Sequence, residues 1–405
     1  MIPIQIPENF NIKYLTGNNE VELVLDQPFA SNRVSFLNNF SKNIFKDPSL
    51  KGFPDLASVA YWCRRSNILR LKKLYPEVNR RLGMGYAFHV APSNVPINFM
   101  FSFLFSFLAG NSNLIRVPSK EYEQIDILLR IFEKTISEDR SFSFVGSSNC
   151  FIRYENKEEA ITEYFSNNAD ARMLWGGDDS IANLKKFNTK ERARDIIFSD
   201  RFSASIFNAN ALSKLGEKEE RAFLKNFYND TFLMDQNACS SPHLIFWLGD
   251  EDIIADTQEK FWSKILEIVI RDYPIQSSQV IGKFNKACDD AIEGLSDHPF
   301  EFNQGYINRI SINNEVDNVG DLKFGSGYFY EKSIINIDDL MPFMDNKFQT
   351  LTYFGFDPED FENFFLNKKP TGIDRFVPVG GALDIGLIWD GYDLIRMLSR
   401  IIELR

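Results

Sequence analysis

The chain has 405 residues, of which 44% are hydrophobic and 25% charged, and its formal net charge is −11. At roughly 150 residues per domain this length predicts two to three domains, and the composition is that of a globular protein with a large core. The acidic balance argues against a nucleic-acid-binding protein, because such a protein needs a basic face.

Cysteine and histidine are both rare, which limits the metal and redox chemistry. The four cysteines, at positions 63, 150, 239 and 288, lack the C-x-x-C spacing of a zinc site, and a disulfide framework is not expected. The three histidines, His89, His243 and His298, are too scattered to predict a metal cluster.

Because the first residues lack the basic and apolar segments of a signal peptide, we expect a cytoplasmic, reduced protein. The longest apolar run, residues 97–110, is shorter than the ~20 residues of a membrane span.

Apolar residues at helical spacing predict an N-terminal helical region over residues 1–80. From there to residue 207 strands and helices alternate, which predicts an α/β fold with a parallel sheet covered on both faces. The predicted helices are Pro96–Ala109, Glu121–Ile136 and Ser180–Phe187. The predicted strands are Tyr86–Val90, Asn113–Val117, Ser141–Val145, Cys150–Tyr154, Arg172–Trp175, Ile196–Phe198 and Ser203–Phe207.

The pattern changes after residue 208, where the predicted helices become longer. Helices are expected over Glu217–Tyr228, Asp256–Arg271, Ile275–Asp289 and Tyr392–Leu404. An apolar strand is expected at His243–Trp247, and residues 300–356 are richer in short strands and turns.

Cys239 lies between the first of these long helices and the strand, with Ser240 and Ser241 beside it. A thiol at such a junction can face a cleft, where its thiolate could attack a carbonyl carbon. A buried, unreactive cysteine is the alternative. Cys63, Cys150 and Cys288 are expected to be buried small hydrophobic residues.

Three turns that follow predicted strands carry further candidate residues. Asn94 could donate a hydrogen bond to an oxyanion or could cap the next helix. Arg116 and Ser119 suit a ribose or a phosphate. Gly176 and Gly177 would let a dinucleotide approach a helix N-terminus, although the G-x-G-x-x-G fingerprint is absent and Asp178 or Asp179 could be a plain cap.

The order of these pieces resembles the aldehyde dehydrogenase superfamily, and most closely its LuxC-like acyl-CoA reductase branch. The resemblance runs from about residue 80 to the end of the chain. It rests on Pro92–Pro96, Gly110-Asn111, Arg201–Ser203, Asp235–Pro242, Gln349-Thr350, Gly372–Arg375, Trp389–Gly391 and Ser399-Arg400.

The resemblance implies an aldehyde-dehydrogenase-like fold and a role for each matching residue. Cys239 is the implied nucleophile, and Asn94 forms the oxyanion hole with the backbone N–H of Cys239. Arg116, Pro118 and Ser119 match the segment around the adenosine ribose, where a lysine is usual instead of the arginine. Gly176 and Gly177 match the turn at the pyrophosphate, and Ser203 joins the expected cofactor residues. The implied cofactor is NADPH, with NADH as the alternative.

One departure from the hydrolytic aldehyde dehydrogenases points to the type of reaction. Their water-activating glutamate has no counterpart in Asp200–Ala204, which favours acyl transfer from acyl-CoA over hydrolysis. His243, four residues after Cys239, could be cast as its base, but in a strand it need not point the same way.

The resemblance also implies a domain order and a set of partners. We expect an N-terminal helical region (1–80) packed on a nicotinamide-dinucleotide-binding domain (81–207). A catalytic domain (208–375) would follow, and a last segment (376–405) would return to the cofactor domain or form an oligomer interface. An acyl-protein synthetase is a possible partner, and a homo-oligomer is expected. The alternative is an acyl-carrying scaffold or an acyltransferase subunit without hydride transfer.

Overall fold

The computed structural model describes residues 3–53, 55–295, 301–303, 305–312 and 319–405, so His298 lies outside the described residues. The chain divides into two compact units, Met1–Ser199 with Leu387–Arg405, and Asp200–Gly386. In the ranges that the structure describes, no helix combines the length and the apolar character needed to cross a bilayer.

The first unit opens with three short strands before its helices, so its first 80 residues are not helical throughout. These early elements are β1 (Ile4–Gln5), β2 (Lys13–Thr16), β3 (Glu20–Val21), α1 (Ser31–Lys46), α2 (Leu56–Trp62) and α3 (Arg65–Lys72), with 3₁₀ turns at Pro48–Lys51 and Val78–Arg80. The alternating part consists of β4 (Arg81–Gly83), β5 (Tyr86–Val90), α4 (Asn98–Leu108), β6 (Ser112–Arg116), α5 (Glu123–Glu138), α6 (Ser143–Ser148), β7 (Asn149–Arg153), α7 (Glu159–Asn168), β8 (Ala171–Trp175), α8 (Asp178–Leu184) and β9 (Arg194–Phe198).

Six of these strands form one sheet in the order β2-β7-β6-β5-β8-β9. All neighbours run parallel except β2, which is antiparallel to β7. Every residue of β5 and β6 is buried, as expected for parallel strands with both faces covered. The predicted parallel sheet is therefore confirmed, and its chain order reverses between β5 and β8.

Two local predictions in this unit are wrong. The predicted strand Ser141–Val145 is a 3₁₀ turn, Arg140–Phe142, followed by α6. Its residues alternate like a strand, but Phe142 and Val145 are the buried pair, which is a helical spacing, and the Asp139 carboxylate accepts the Ser141 N–H at 2.8 Å.

The predicted C-terminal helix, Tyr392–Leu404, is reduced to one turn, Leu394–Met397. The chain then forms a strand, Ser399–Ile401, antiparallel to β4. The buried Arg81 guanidinium donates to the Ser399 hydroxyl at 2.8 Å and to the Arg396 and Ser399 carbonyls at 2.9 Å. These bonds satisfy polar groups that a continuing helix would have used itself.

The second unit is a seven-stranded sheet with helices on both faces. Its strands are β10 (Phe202–Asn208), β11 (Leu244–Leu248), β12 (Glu301–Asn303), β13 (Ile307–Ser311), β14 (Tyr328–Ile334), β15 (Phe348–Phe354) and β16 (Arg375–Pro378), in the order β12-β13-β14-β11-β10-β15-β16. Its helices are α9 (Ala209–Leu212), α10 (Glu217–Thr231), α11 (Glu251–Asp272), α12 (Ser277–Ile292) and α13 (Pro358–Lys368), with 3₁₀ turns at Phe232–Met234, Val319–Asp321 and Ile337–Phe343. Only β12 is antiparallel to its neighbour.

The boundary predicted after residue 207 has to move to residue 199. The sequence places strand β10 at the end of the first alternating series, but it pairs with β11 and β15 near the centre of the second sheet. Successive side chains of β11 pack into different cores, Leu244 and Phe246 in one, Ile245 and Trp247 in the other. The last segment is also divided, because β16 belongs to the second unit and residues from Leu387 belong to the first.

Candidate active site

Cys239 lies in a turn between the 3₁₀ segment Phe232–Met234 and strand β11, and its side chain is partly exposed. Asp235 and Gln236, which precede it, both have left-handed backbones, with φ of 53° and 54°. For residues other than glycine this conformation costs roughly 1–2 kcal/mol each. The loop therefore keeps its shape only because its side chains are tied to the rest of the second unit.

The buried side chain of Gln236 connects this loop to the rest of the second unit. Its amide nitrogen donates to the carbonyls of Pro242 at 3.2 Å and Tyr328 at 3.3 Å. Its amide oxygen accepts the Gly327 N–H at 2.8 Å. One buried side chain thus joins the two ends of the cysteine loop to the start of β14.

The side chain of Asp235 connects the loop to two helices. One carboxylate oxygen accepts a hydrogen bond from the Tyr273 hydroxyl. The other oxygen accepts one from the Gln279 side chain at 3.0 Å. These partners stand where α11 ends and α12 begins, so the two helices hold the loop in addition to β14.

Ser203 fixes the backbone of the cysteine itself. Its hydroxyl donates to the Cys239 carbonyl at 2.6 Å and accepts the Thr350 N–H at 3.2 Å. Ser203 is fully buried in β10. The structure thus gives this hydroxyl a role in the cysteine loop, and its expected role in cofactor binding stays a prediction.

His243 is a poor base for the cysteine. The residue is 1% exposed, and burial, assisted by the positive charge of Lys323, lowers its pKa to about 3. A ring with that pKa is neutral at physiological pH and holds a proton weakly. Its backbone serves the sheet, since its N–H donates to the Ser203 carbonyl at 3.0 Å.

The other cysteines differ from Cys239 in their surroundings. Cys63 and Cys150 are buried, and burial raises the pKa of both thiols, that of Cys150 to about 12. Such thiols stay protonated and unreactive. Cys288 is exposed on α12, so the prediction that it is buried is wrong.

The first unit brings its three predicted turns to one edge of its sheet. Strands β5, β6 and β8 are parallel neighbours, with Val90 aligned to both Arg116 and Leu174. The turns that follow them carry Asn94, Ser119 and Gly176. In open α/β sheets, ligands bind at this carboxyl edge, where the chain order reverses.

Asn94 is exposed in the turn after β5. Helix α4 begins at Asn98, and Ile97 occupies its N-cap position. Asn94 is therefore not the cap residue of that helix. The neighbouring Ser93 carbonyl accepts the Tyr122 hydroxyl at 2.6 Å, which ties this turn to the segment after β6.

Arg116 is engaged inside the first unit. Its guanidinium lies 4.4 Å from the centre of the Tyr154 ring and donates to the Tyr154 carbonyl at 3.3 Å and to the Asn156 side chain. Pro118 is buried, whereas Ser119 and Lys120 are exposed. Of the three predicted residues in this segment, Ser119 is therefore the exposed donor, and the adjacent Lys120 is a second one.

Gly176 and Gly177 form the turn after β8. The Gly176 N–H donates to the Phe198 carbonyl at 3.1 Å, and a Cβ at Gly176 would lie 3.1 Å from the Ser180 Cβ. A Cβ at Gly177 would meet no atom within 4 Å. Packing explains the first glycine, and open space for a ligand remains at the second.

The comparisons agree on both family and fold. The model of the family described as acyl-CoA reductase (LuxC) matches residues 64–285, more than half of the chain. The chain belongs to the LuxC acyl-CoA reductase family. It is therefore an aldehyde-forming oxidoreductase. Among curated proteins, no sequence matches this LuxC-family chain.

Solved structures of aldehyde dehydrogenases share the fold of this LuxC-family chain. Aldehyde dehydrogenase 21 from Physcomitrella patens is 10% identical with a TM-score of 0.64, over 100% of this chain and 98% of that one. A 1-pyrroline-5-carboxylate dehydrogenase from Thermus thermophilus is 10% identical with a TM-score of 0.63, over 92% and 81%. The same kind of enzyme from Thermus, solved with bound NAD, is 11% identical with a TM-score of 0.60, over 91% and 80%. The predicted aldehyde-dehydrogenase-like fold is confirmed.

Sequence reasoning on this LuxC-family chain missed two residues that shape the site. Gln236 stands inside the Asp235–Pro242 motif, but its partners Gly327 and Tyr328 are about ninety residues away. Arg375, the end of another motif, donates to the Thr350 hydroxyl at 3.3 Å and to the Gly381 and Ala382 carbonyls at 3.2 Å. The only signal for either was its place in a family-like motif.

Proposed function

We propose that this reductase forms an acyl-cysteine on Cys239 and releases it as an aldehyde by hydride transfer. The Cys239 thiolate attacks the carbonyl carbon of an acyl-CoA, and the thiolate of CoA leaves. A nicotinamide dinucleotide, when bound, supplies the hydride that reduces the acyl carbon. The tetrahedral anion then collapses, its C–S bond breaks, and Cys239 is released with the aldehyde.

The observation that carries this proposal is the construction of the Cys239 loop. Among the described cysteines, Cys239 alone is partly exposed on a loop. This loop is hydrogen-bonded to separate elements through the Cys239 carbonyl, the Gln236 side chain and the Asp235 side chain. A nucleophile must be accessible and held in one geometry. A cysteine kept only for packing needs neither property.

The segment before β10 supports acyl reduction over hydrolysis. Asp200 and Arg201 carry its charges, and both are engaged, Asp200 with Lys323 at 2.7 Å and Arg201 with Asp374. The segment contains no glutamate to activate water. An acyl-cysteine that meets no activated water survives until hydride reaches it.

Asn94 is the proposed donor to the oxyanion, together with the backbone N–H of Cys239. Its support is the exposed amide in a turn at the carboxyl edge of the first sheet. An oxyanion donor of this kind is worth about 3 kcal/mol of transition-state stabilisation. Asn94→Ala should therefore lower turnover on the order of 100-fold.

The carboxyl edge of the first sheet fits a dinucleotide, with NADPH preferred and NADH the alternative. Exposed Ser119 and Lys120 would hold the ribose or its phosphate, and open space at Gly177 would admit the pyrophosphate. The buried Arg116 and Pro118 would hold the backbone of this segment in place. The proposed substrate is an acyl-CoA or an acyl group delivered by an acyl-protein synthetase. The proposed assembly is a homo-oligomer.

The decisive experiment uses Cys239→Ala with Cys288→Ala as its matched control. Oxidation of NADPH and NADH is followed with acyl-CoAs of increasing chain length, and acyl adducts are located by mass spectrometry without cofactor. We expect acyl label on Cys239 and aldehyde production, both lost in Cys239→Ala and kept in Cys288→Ala. Label on Cys239 without oxidation of either cofactor would mean an acyl carrier or acyltransferase, and label retained in Cys239→Ala would refute the nucleophile.

A further inference from the structure

A cavity of about 490 Å³, widely open to solvent, lies between α1 and α3 of the first unit. Its walls carry four basic side chains, Lys42 and Lys46 from α1 and Arg64 and Arg65 from the start of α3. None of these residues belongs to the acyl or cofactor chemistry described above. The cavity therefore needs an explanation of its own.

The four basic residues that line this cavity are all exposed to solvent. In the part of the chain that the structure describes, no carboxylate forms an ion pair with any of the four. Asp47, next to Lys46, is bound instead by Arg130 at 2.9 Å, which holds the pKa of that carboxyl down at about 2. Lys42 and Lys46 are four residues apart on one helix, where like charges repel each other.

This arrangement runs against the overall charge of the chain. Asp and Glu number 56 against 45 Lys and Arg, so acids to offset the cluster are plentiful elsewhere. The negative C-terminal end of α1 favours Lys46, but it accounts for one cation of the four. An anion bound in the cavity would relieve the repulsion among the others.

One wall of the cavity, at the start of α3, is held in place before any ligand arrives. The Arg64 guanidinium lies over the rings of Phe45 at 4.7 Å and Tyr61 at 4.2 Å. The Arg65 backbone N–H donates to the Asn38 side chain at 3.2 Å, which fixes the first turn of α3 against α1. The stacked Arg64 therefore forms a fixed wall of the cavity, and less of the protein has to be ordered when an anion binds beside it.

We propose that this cavity binds a phosphorylated small molecule, with Lys42, Lys46 and Arg65 holding its phosphate oxygens. Lysine and arginine are the usual donors to phosphate in proteins. The volume lies within the roughly 300–1,000 Å³ of small-molecule pockets, and a concave wall between two helices suits a compact ligand. The site is independent of the acyl reduction.

The test is isothermal titration calorimetry of the full chain with pyrophosphate and with adenosine 3′,5′-bisphosphate, each in the presence of saturating NADPH to occupy the cofactor site. Lys42→Glu and Arg65→Glu are compared with Lys73→Glu, which makes the same charge change at an exposed position of the same region outside the cavity. Circular dichroism confirms that each variant is folded.

We expect one equivalent of either probe to bind wild type, with affinity at least about tenfold weaker in Lys42→Glu and Arg65→Glu and nearly unchanged in Lys73→Glu. Tighter binding of the bisphosphate than of pyrophosphate would identify a nucleotide as the ligand class, and equal binding would identify the phosphate groups alone. Absence of binding by wild type at millimolar concentrations of both probes would overturn the proposal. Equal weakening by Lys73→Glu would overturn it too, because general charge would then explain the binding.

Discussion

The hydroxyl of Ser203 donates a 2.6 Å hydrogen bond to the carbonyl oxygen of Cys239. The same hydroxyl accepts the Thr350 N–H, so it links β10, β15 and the cysteine loop at one atom. A serine hydroxyl has one proton and two acceptor positions, and this one uses both functions within the protein. The backbone of the proposed nucleophile is therefore set by the central strands of the second sheet.

Ser203→Ala should lower turnover more than it weakens substrate binding. The variant leaves the Cys239 carbonyl and the Thr350 N–H without their partner, and an unsatisfied buried group costs about 1–3 kcal/mol. We expect kcat to fall about tenfold with KM for acyl-CoA nearly unchanged, because the misplaced thiol still meets bound substrate.

Ser205→Ala is the matched control, since Ser205 is equally buried two residues along the same strand. Its hydroxyl bonds to that of Thr352 at 2.6 Å. Steady-state kinetics and denaturant unfolding are measured on both variants. A similar loss of stability in both, with kcat reduced only in Ser203→Ala, supports the positioning role; equal kcat in the two would refute it.

Gln236→Ala should destabilise the second unit and mobilise the cysteine loop. Three buried backbone groups, on Pro242, Gly327 and Tyr328, lose their partner, so we expect a loss of several kcal/mol. Gln236→Gly should be less damaging by about 1 kcal/mol, because glycine adopts the left-handed backbone without strain. Urea unfolding ranks the variants, and a glycine variant less stable than the alanine variant would contradict the strain at this position.

The sequence predicted well those parts of the fold that depend on local pattern. The strand Tyr86–Val90 matches the structure at both ends, because a short, mostly apolar run suits a strand buried on both faces. The strand predicted for Ser141–Val145 is wrong because the order of apolar and polar residues in this segment fits a helix as well as a strand. In the structure the Asp139 side chain caps the 3₁₀ turn at this point, which stabilises the helical alternative.

Long-range partners explain most of what the sequence did not predict about the site. The motif residues Cys239 and Ser203 are 36 residues apart, and their contact goes through a backbone carbonyl that no side-chain pattern reveals. The structure explains why glycine and asparagine occur at Gly110-Asn111, another of the family-like motifs. Gly110 has φ of 98°, and a Cβ there would lie 2.1 Å from the Asp26 carbonyl oxygen, while the Asn111 amide donates to the Leu398 carbonyl at 2.9 Å.

His243 should make the folded state sensitive to acid. Its pKa is about 3 in the folded protein and has a reference value of 6.5, so the unfolded state binds the proton more tightly. Stability from this group is fully present above about pH 6.5 and is lost as the pH falls towards 3. Between about pH 7 and about pH 5 the loss amounts to about 2 kcal/mol.

His243→Gln should remove that part of the pH dependence. Urea unfolding at the two pH values is compared for wild type and variant, and the difference should shrink by about 2 kcal/mol. The activity profile should keep its neutral and alkaline limbs, because His243 is neutral there. Loss of activity at neutral pH in a stably folded variant would instead restore His243 as a base for Cys239.

Gly177→Leu should weaken cofactor binding without weakening the fold. Its backbone, with φ −66° and ψ 164°, is open to any residue, and an added Cβ meets no atom within 4 Å. We therefore expect stability within about 0.5 kcal/mol of wild type, while a leucine in the space proposed for the pyrophosphate raises KM for NADPH at least about tenfold. Gly216→Leu is the control, because Gly216 also caps a helix with nearly the same backbone, φ −71° and ψ 159°, and lies in the second unit. An unchanged KM in Gly177→Leu, or an equal rise in Gly216→Leu, would move the dinucleotide away from the turn after β8.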